Sequence, residues 1–333
     1  MTTKNKQVLL AARPKGAPTE KDFRIVTTEL RDPEDGEVLV KNLFLSLDPY
    51  MRGRMNEGKS YAARVELDHV MVGATVGEVI ASRHPKLKVG DVVVAYLGWQ
   101  EYALSKGEGV MKIDPGKVPL SAYLGAVGMP GVTAWYGLFD IGKPKAGETV
   151  VVAAASGAVG SVVGQLAKLR GCRAVGIAGG KDKCEHVVKE LGFDACIDHR
   201  DKSMKDRFRE ATPNGVDVYF ENVGGEILDM VLARLNPFAR IPLCGLVSQY
   251  NATEPYGVKN FGSLLTNRVT LQGFIVSEHM DRWPAALADL GGHVAGGRIK
   301  LRESIAEGLD NAPAAFIGML EGKNFGKQLV KIA

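Results

Sequence analysis

The chain alternates two hydrophobic patterns from Thr149 onward, and this alternation constrains the fold more than any other feature. Apolar runs such as "TVVVAAA" are continuous, as expected for parallel strands that are covered on both faces. The spacing of strand and helix patterns predicts an α/β fold with a doubly wound parallel sheet. The predicted strands are 149–155, 173–178, 195–198, 216–221, 239–244 and 269–276, and the predicted helices are 158–170, 182–191, 202–211 and 226–235.

The first third of the chain has a different pattern. Short valine-rich runs at 37–47, 69–81 and 88–105 are separated by glycine and proline, which predicts a small barrel or sandwich. A helical periodicity over 121–142 is interrupted by Pro130 and Gly131. The last forty residues predict a helix followed by a strand, which we expect to return to the first domain.

The first predicted strand of the alternating region ends in a glycine-spaced turn, "ASGAVG", residues 155–160. Binding a pyrophosphate requires a sharp turn out of a strand, close approach of backbone N–H groups and a helix that begins at the anion. Gly157 and Gly160 suit this task, and Ala155 occupies the first glycine position. The context of strand, turn and helix favours a dinucleotide site over glycines that serve packing alone.

The second predicted strand ends at Gly179-Gly180, where an NAD site usually has an acidic residue for the ribose 2′-hydroxyl. This chain offers Lys181 and Lys183 instead, with Arg200 after the third strand. Lysine in a first helical turn is mildly unfavourable, so the pattern favours a phosphate partner and hence NADP. The alternative is that both lysines are ordinary surface charges.

The helix that follows this glycine pair has its own predicted boundaries. Asp182 is predicted to cap its start, with Glu185 completing a capping box. Gly192 is predicted to end it.

Composition excludes several classes of protein. The formal charge of +4 comes from basic residues spread along all 333 positions, so we expect no nucleic-acid partner. No window of eighteen apolar residues and no signal peptide is evident, so we expect no membrane partner. The four cysteines include no C-x-x-C pair, which is typical of a reduced, cytoplasmic protein.

Taken together, several ordered segments resemble the medium-chain dehydrogenase/reductase superfamily over nearly the whole chain. The resemblance is to its zinc-independent branch of NADP-dependent alkenal/one oxidoreductases, which includes leukotriene B4 dehydrogenase/prostaglandin reductase and curcumin reductase. The segments that carry it are "LSLDPYMRGRM" (45–55), "GMPGVTAWYGL" (128–138), "AAASGAVGSVVGQLAKLRGC" (153–172), "VYFENVGGEILD" (218–229) and "NAPAAFIGMLEGKNFGKQLVK" (311–331).

The resemblance implies a division of the chain into two domains. A GroES-like β-barrel catalytic domain would comprise residues 1–121 and be completed by 297–333. A Rossmann domain, residues 122–296, would bind NADP(H) in a cleft. Many relatives are homodimers joined through the edge of the Rossmann sheet, so the resemblance also implies a homodimer.

The resemblance further implies which residues meet the cofactor. His199 stands where relatives often have a tyrosine beside the adenosine, which makes that one contact differ. The implied residues are Ala155, Gly157, Ala158, Val159 and Gly160 at the pyrophosphate, Lys183 at the 2′-phosphate, His199 at the adenosine, Asn222 near the ribose, Cys244, Gly245, Ser248 and Tyr250 past the fifth strand, Phe274, Ile275 and Val276 at the nicotinamide, and Asn324 from the C-terminal segment.

Zinc-dependent members of the superfamily have a cysteine where this chain reads Asp48-Pro49-Tyr50. The following segment contains His69 but no Gly-His-Glu, and all four cysteines lie in the Rossmann half. A catalytic zinc needs three convergent protein ligands, so we expect no metal.

Without a metal, reduction of an activated C=C bond is easier to assist than oxidation of an alcohol. Hydride would pass from NADPH to the β-carbon of an α,β-unsaturated ketone or aldehyde, and the carbonyl oxygen would become an enolate. Tyr50 leads the predicted hydroxyl donors, with Tyr61 and Tyr250 as further candidates and Tyr256 also considered. Tyr50 is alternatively a core or cleft-wall residue. The rival functions are an NADPH-dependent quinone reductase and a non-catalytic NADP(H)-binding or sensing protein.

Overall fold

The computed structural model describes residues 3–333, which divide into two compact units. One unit consists of the chain up to Leu124 together with Glu303–Ala333, and the other is Gly125–Arg302. No helix of the described residues is both long and apolar enough to cross a membrane.

The strands, in chain order, are β1 (Thr3–Leu10), β2 (Phe23–Leu30), β3 (Val38–Ser46), β4 (Thr75–Ser82), β5 (Val92–Ala95), β6 (Tyr102–Ser105), β7 (Met111–Lys112), β8 (Thr149–Ala153), β9 (Arg173–Ala178), β10 (Ala195–Asp198), β11 (Val216–Phe220), β12 (Leu235–Leu243), β13 (Thr270–Gly273), β14 (Glu303–Glu307) and β15 (Lys327–Lys331). The helices are α1 (Tyr50–Arg54), α2 (Met129–Tyr136), α3 (Gly160–Leu169), α4 (Lys181–Lys189), α5 (Met204–Ala211), α6 (Gly225–Leu232), α7 (Gly262–Thr266), α8 (Trp283–Ala295) and α9 (Ala312–Leu320).

The first unit is built on a seven-stranded sheet and an antiparallel pair, β1 and β2. The sheet runs β14-β15-β3-β4-β5-β7, and β6 pairs with β3 as well. The C-terminal strand β15 joins it by antiparallel pairing with β3. Phe23, Trp99 and Phe316 form an aromatic cluster in its core, with ring centroids 5.5–6.3 Å apart. This is the GroES-like architecture that the resemblance implies.

The second unit is built on a six-stranded sheet whose strand pairs are all parallel. Its strand order, β10-β9-β8-β11-β12-β13, reverses direction beside β8 and confirms the predicted doubly wound fold. Val150 and Val152 pack into the core on one face of the sheet, whereas Val151 and Ala153 pack into the core on the other. Because β8 is covered on both sides, its apolar run is continuous.

Predicted and observed boundaries agree for β9 and β10 and differ elsewhere. β12 begins at Leu235, four residues before its prediction, and β13 ends at Gly273 rather than at residue 276. The residues after Gly273 are apolar because they pack in a loop. The backbone carbonyl of Val276 there accepts a hydrogen bond from the Trp283 indole at 3.1 Å instead of a ladder bond.

Pro130 lies in the first turn of helix α2, which begins at Met129, rather than interrupting a helix. A proline in the first turn costs no hydrogen bond, because the N–H groups there have no partner within the helix. Gly131 is required for a different reason. A Cβ atom on it would lie 1.9 Å from the carbonyl oxygen of Ala126.

Candidate functional site

The glycine turn leaves β8 and enters α3 with backbone contacts that admit no side chain at Gly160. Ala154, the residue that turns the chain, adopts a left-handed conformation with φ of 52°. A Cβ on Gly160 would lie 2.3 Å from the carbonyl oxygen of Ala154, whereas one on Gly157 would lie 3.2 Å from it. The missing side chain at Gly160 therefore allows α3 to pack closely on β8, and the missing side chain at Gly157 leaves the outer surface of the turn open.

Ala155, at the first glycine position of the pattern, is fully buried. A Cβ added to Gly176 on β9 would lie 2.7 Å from the Ala155 Cβ. The missing side chain at Gly176 therefore makes room for the alanine. Ala155 cannot offer its side chain to a ligand, so the cofactor contact predicted for this residue would be made by its backbone.

The turn presents a row of backbone donors at the start of α3. Among the described residues, no protein group accepts a hydrogen bond from the N–H of Ala158, Val159 or Gly160. These orphan donors, together with the positive end of the helix dipole, form a site suited to an anion. The geometry therefore fits a pyrophosphate at the residues predicted for it.

A second anion-binding feature lies at the ends of β9 and β10, which we call the basic corner: Lys183, His199 and Arg200. A Cβ on Gly179 would lie 2.8 Å from Nε2 of His199 and 3.3 Å from Nε of Arg200, so both side chains cover this glycine. Burial lowers the pKa of the Lys183 ammonium group, and the positive charge of Arg200 lowers it further. The pKa of His199 is also lowered, by burial first and then by Arg200. This concentration of positive charge fits a phosphate partner.

Arg200 follows the third predicted strand, but it is not among the residues that the resemblance implies for the cofactor. The signal that would have found it is topological. β9 and β10 are parallel neighbours, with Asp198 opposite Ala178, so the residues that follow each strand meet at the same sheet edge.

The predicted capping box of α4 is wrong. The helix begins at Lys181, one residue before the predicted cap, and the cap position is Gly180, which has φ of 99° and no side chain. Glu185 pairs instead with Lys189 at 3.1 Å and with Lys181 at 3.9 Å. The N–H of Gly180 donates to the carboxylate of Asp198 at 2.8 Å, so a neighbouring strand organises this turn. The helix ends before Gly192, whose φ of 74° fits the predicted stop.

A buried carboxylate organises the ends of β11 and β12, and sequence reasoning missed it. Glu221 is fully buried, and it accepts hydrogen bonds from the Tyr219 hydroxyl at 2.9 Å and from the backbone N–H groups of Val223 at 2.5 Å and Gly224 at 3.0 Å. Burial raises the pKa of the carboxyl, and these donors oppose that rise. Its own backbone carbonyl accepts from the N–H of Cys244 at 2.9 Å. Glu221 thereby connects the loop after β11 with the loop after β12, and both loops are predicted to contact the cofactor.

Asn222 and Tyr250 make further contacts at these strand ends. The side-chain amide of Asn222 donates to the carbonyl of Ala153 at 2.8 Å, which joins the end of β11 to the glycine turn. A Cβ on Gly245 would lie 3.0 Å from the Tyr250 hydroxyl, so that hydroxyl lies over the backbone past β12.

Ser248 closes the loop after β12. Its hydroxyl donates to the carbonyl of Val223 at 2.6 Å. Cys244, at the start of the same loop, is half-buried, and burial raises the pKa of its thiol to about 12. The thiol therefore stays neutral and gives this end of the sheet an uncharged surface.

The segment predicted for the nicotinamide lies against an aromatic cluster. The Phe274 ring lies 5.5 Å from that of Tyr136 and 6.4 Å from that of Phe220. Ile275 is half-buried and Val276 is buried. The segment thus has an apolar wall.

The first unit places Tyr50 at the start of α1, close enough to Asp48, Tyr61 and Tyr96 that ionisation of any of them raises the pKa of Tyr50. Burial raises the pKa of Tyr50 well above its ordinary value, and Asp48 and Tyr96 raise it further. The Tyr61 side chain is 58% exposed and that of Tyr96 is 61% exposed. Tyr96 is a third hydroxyl that sequence reasoning missed, and its position directly after β5 was the available signal.

A buried ion pair fixes the segment that carries Tyr50. The carboxylate of Asp48 accepts from Nζ of Lys327 at 2.6 Å, and both side chains are buried. The Ser46 hydroxyl donates to the same carboxylate, and Lys327 also donates to the carbonyl of Leu47 at 2.8 Å. A buried pair that is fully hydrogen-bonded holds a rigid geometry, so the C-terminal strand β15 positions the turn before α1.

Asn324, also from the C-terminal segment, is half-buried. Its side-chain amide donates to the carbonyl of Gly326 at 2.8 Å. The contact holds Asn324 in the turn that leads into β15.

Among residues 3–333, no group of three or more histidine, cysteine, aspartate or glutamate side chains is placed to hold a metal ion.

Two family models match the chain. One, described as the N-terminal domain of oxidoreductase, matches residues 6–113, and the other, described as zinc-binding dehydrogenase, matches residues 158–291. Together they span parts of both compact units.

Similar proteins cover almost the whole chain. It is 48% identical to the NADPH-dependent curcumin reductase of Escherichia coli, over 99% of this chain and 97% of that protein. It is 41% identical to the NADP(+)-dependent 2-alkenal reductase of Nicotiana tabacum, over 99% of this chain and 98% of that protein.

A solved structure agrees with these relatives. The crystal structure of CurA from Vibrio vulnificus in complex with NADPH superimposes with a TM-score of 0.94 at 50% sequence identity. The match covers 98% of this chain and 99% of that one.

Proposed function

Because the chain belongs to the medium-chain dehydrogenase/reductase superfamily, in the branch of alkenal and enone reductases, we propose that it reduces the activated C=C bond of α,β-unsaturated ketones and aldehydes with NADPH. The observation that carries this proposal is full-length similarity to NADP(H)-dependent reductases, at 41–48% identity, in a chain that has the basic corner.

We assign the cofactor-binding residues as follows. The N–H groups of Ala158, Val159 and Gly160 bind the pyrophosphate, and Gly157 leaves room for it. The basic corner binds the 2′-phosphate, since Lys183 and Arg200 are cations and His199 adds donors. The remaining cofactor contacts are proposed for Asn222, Cys244, Gly245, Ser248, Tyr250, Phe274, Ile275, Val276 and Asn324.

NADPH, when bound, supplies the hydride that adds to the β-carbon of the substrate. The protein then has to stabilise the negative charge that develops on the carbonyl oxygen, which preorganised hydroxyl donors do well. We propose Tyr50 as the leading donor. Its raised pKa keeps the phenol protonated at neutral pH, and the Asp48–Lys327 pair holds its segment in place. Tyr61 and Tyr250 are the further candidates from the sequence, and the position of Tyr96 adds it to this set.

We propose that the reaction uses no metal. The support is chemical. The segment Asp48-Pro49-Tyr50 stands where the zinc-dependent members have a cysteine ligand, and its aspartate is engaged with Lys327 and Ser46.

We also propose a cytoplasmic homodimer joined through the edge of the parallel sheet, with no nucleic-acid or membrane partner. In the described structure β13 ends the sheet and pairs with β12 alone. Large apolar side chains are exposed around this edge: Phe238, Phe261, Leu265 and Leu271. An exposed edge strand with apolar neighbours is a surface that a second copy would cover. The four cysteines are unpaired, as in a reducing compartment.

The two domains are assigned roles on the same basis. We propose residues 1–121 with 297–333 as the catalytic domain and 122–296 as the NADP-binding domain.

The test is consumption of NADPH with a medium-length enone, run beside NADH and beside a quinone. Rapid turnover of the enone with NADPH alone supports the proposal. Turnover of the quinone alone would assign a quinone reductase instead. Tight NADPH binding with no turnover of either acceptor would indicate a binding or sensing protein.

A further inference from the structure

Two of the cysteines touch each other below the basic corner. The sulfur atoms of Cys184 and Cys196 are 2.9 Å apart, and both residues are half-buried free thiols. Cys184 lies in the first turn of α4, and Cys196 lies on β10 opposite Gly176 of β9. A disulfide bond is about 2.05 Å long, so closing this pair requires movement of roughly 1 Å.

The other two cysteines have no such sulfur–sulfur contact. Cys172 is 2% exposed, and its thiol donates to the carbonyl of Lys145 at 3.3 Å. Burial raises the pKa of the thiols of Cys172 and Cys244. The pKa of Cys184 is instead lowered, chiefly because the Cys196 thiol donates a hydrogen bond to its sulfur. Since the thiolate is the reactive form, Cys184 is the nucleophile of the pair.

The contact between Cys184 and Cys196 is also linked to the basic corner, through neighbouring residues and their hydrogen bonds. Cys184 follows Lys183 in the same helical turn, and its N–H donates to the carbonyl of Gly180 at 3.2 Å. On the other side, Cys196 lies two residues before Asp198, whose carboxylate accepts from the N–H groups of Gly180 at 2.8 Å and Arg200 at 3.0 Å. Movement of either sulfur therefore displaces a segment that carries a cation of the corner.

We propose that Cys184 and Cys196 are a peroxide-oxidised thiol pair whose disulfide weakens NADPH binding at the basic corner. The oxidant is hydrogen peroxide or a small organic hydroperoxide, which is compact enough to reach a half-buried thiol.

The chemistry proceeds in two balanced steps. The Cys184 thiolate attacks one peroxide oxygen and becomes a sulfenic acid, while the O–O bond breaks and the other oxygen leaves as hydroxide, which is protonated to water. The Cys196 sulfur then attacks the Cys184 sulfur. The sulfenic oxygen leaves with the Cys196 proton as a second water. Two thiols are oxidised to one disulfide, and one hydrogen peroxide is reduced to two waters. An external thiol reverses the change.

The weakening follows from the position of Lys183. Closing the bond draws the first turn of α4 toward β10, and Lys183 moves relative to Arg200 and His199. A phosphate held by several charge-assisted contacts is sensitive to such a shift. This coupling rests on the proposed NADPH binding, whereas formation of the disulfide does not.

The test treats the full-length protein, without cofactor, with hydrogen peroxide and measures intact mass and free thiols. We expect wild type to lose two hydrogen atoms and two free thiols, reversibly with dithiothreitol. Cys184→Ser and Cys196→Ser should form no intramolecular disulfide, whereas the control Cys172→Ser should behave as wild type. Failure of wild type to form the Cys184–Cys196 disulfide, with the variants and control folded by circular dichroism, would overturn the proposal.

The second measurement is the binding of NADPH and NADH to the oxidised and reduced proteins. We expect a severalfold rise in the Kd for NADPH after oxidation, no change for NADH, and no response in Cys196→Ser. Equal NADPH affinity in the two redox states would overturn the coupling. If the reduced protein binds no NADPH at all, the proposed function fails as well, while the mass measurement still reports on the pair.

Discussion

At the scale of single residues, the proposed cofactor and substrate contacts depend on different kinds of side chain. The proposed role of the basic corner depends on charge, because Arg200 lies beside Gly179 and its positive charge acts on Lys183. The proposed role of Tyr50 depends on a neutral hydroxyl, because burial raises the pKa of this phenol and keeps its proton in place. The basic corner and Tyr50 can therefore be tested separately.

Lys183→Ala should weaken NADPH binding and leave NADH binding nearly unchanged, since only NADPH carries the 2′-phosphate. A charge-assisted contact contributes about 2 kcal/mol, so we expect a roughly 30-fold rise in the Kd for NADPH. The measurement is titration of cofactor fluorescence. Lys181→Ala is the matched control, because its side chain is 85% exposed and meets Glu185. An equal loss for both cofactors would remove Lys183 from the phosphate site.

The preference for NADPH should also depend on pH. Burial and the positive charge of Arg200 lower the pKa of Lys183 in the free protein, so with rising pH this lysine loses its charge earlier than an exposed lysine does. The ratio of NADH to NADPH dissociation constants should therefore fall as the solution becomes alkaline. In Lys183→Arg the fall should shift to higher pH. A ratio that is flat with pH in wild type would contradict the assignment.

Tyr50→Phe should lower kcat by roughly 10- to 100-fold and leave the Kd for NADPH unchanged, because the variant loses one donor to the developing oxyanion. Tyr123→Phe is the control in the same unit, since that hydroxyl donates to the carbonyl of Asp114 at 2.8 Å. Steady-state rates with a saturating enone provide the measurement. Unchanged turnover would make Tyr50 a structural residue.

At the scale of elements, strand ends rather than strands make the site. The turn between β8 and α3, the turn between β9 and α4, and the loops after β11 and β12 all follow the carboxyl ends of parallel strands. Glu221 and Asn222 join three of these ends through hydrogen bonds. The carboxyl ends of these parallel strands thus form one organised surface on the second unit.

Gly160→Ala tests the turn. The new Cβ would lie 2.3 Å from the Ala154 carbonyl oxygen, so backbone must shift, and we expect a loss of about 1–3 kcal/mol in stability together with weaker binding of both cofactors. Gly292→Ala in α8 meets no atom within 4 Å, and it should stabilise the protein by about 0.5–1 kcal/mol. Thermal unfolding and cofactor titration measure both. Wild-type behaviour of Gly160→Ala would disprove the packing argument.

At the scale of the whole molecule, the outer edge of the parallel sheet is the proposed dimer interface. β13 lies at the end of the sheet, and Leu265 nearby is 84% exposed. The Arg268 guanidinium lies over the exposed Phe238 ring at 4.6 Å, which places a second large apolar side chain beside the start of β13. A second copy that pairs along β13 would bury this surface.

Leu271→Lys should convert the proposed dimer into a monomer, because it puts a charge on each side of the shared edge. Light scattering after size exclusion measures the mass. Val89→Lys, at an exposed apolar position of the first unit, should leave the mass unchanged. A wild-type protein that is already a monomer at micromolar concentration would disprove the homodimer.

The order of strands and helices, the parallel sheet and the glycine turn followed from sequence because each depends on residues close together in the chain. Hydrophobic periodicity indicates which faces are buried, and the turn glycines stand between one strand and one helix. The family resemblance likewise depends on short segments, each made of residues that are neighbours in the sequence, which occur in a fixed order along the chain. These features determined the class of fold and of cofactor.

Only the tertiary structure decided which distant residues meet. Arg200 covers Gly179, and Cys196 touches Cys184. Tyr96 lies near Tyr50, and the N–H of Cys244 donates to the backbone carbonyl of Glu221. Asp182 looked like a cap from its neighbours in sequence, but the carboxylate of Asp198 on another strand organises that turn. Strand register brings such groups together, and register depends on packing across the sheet, which no single segment of sequence encodes.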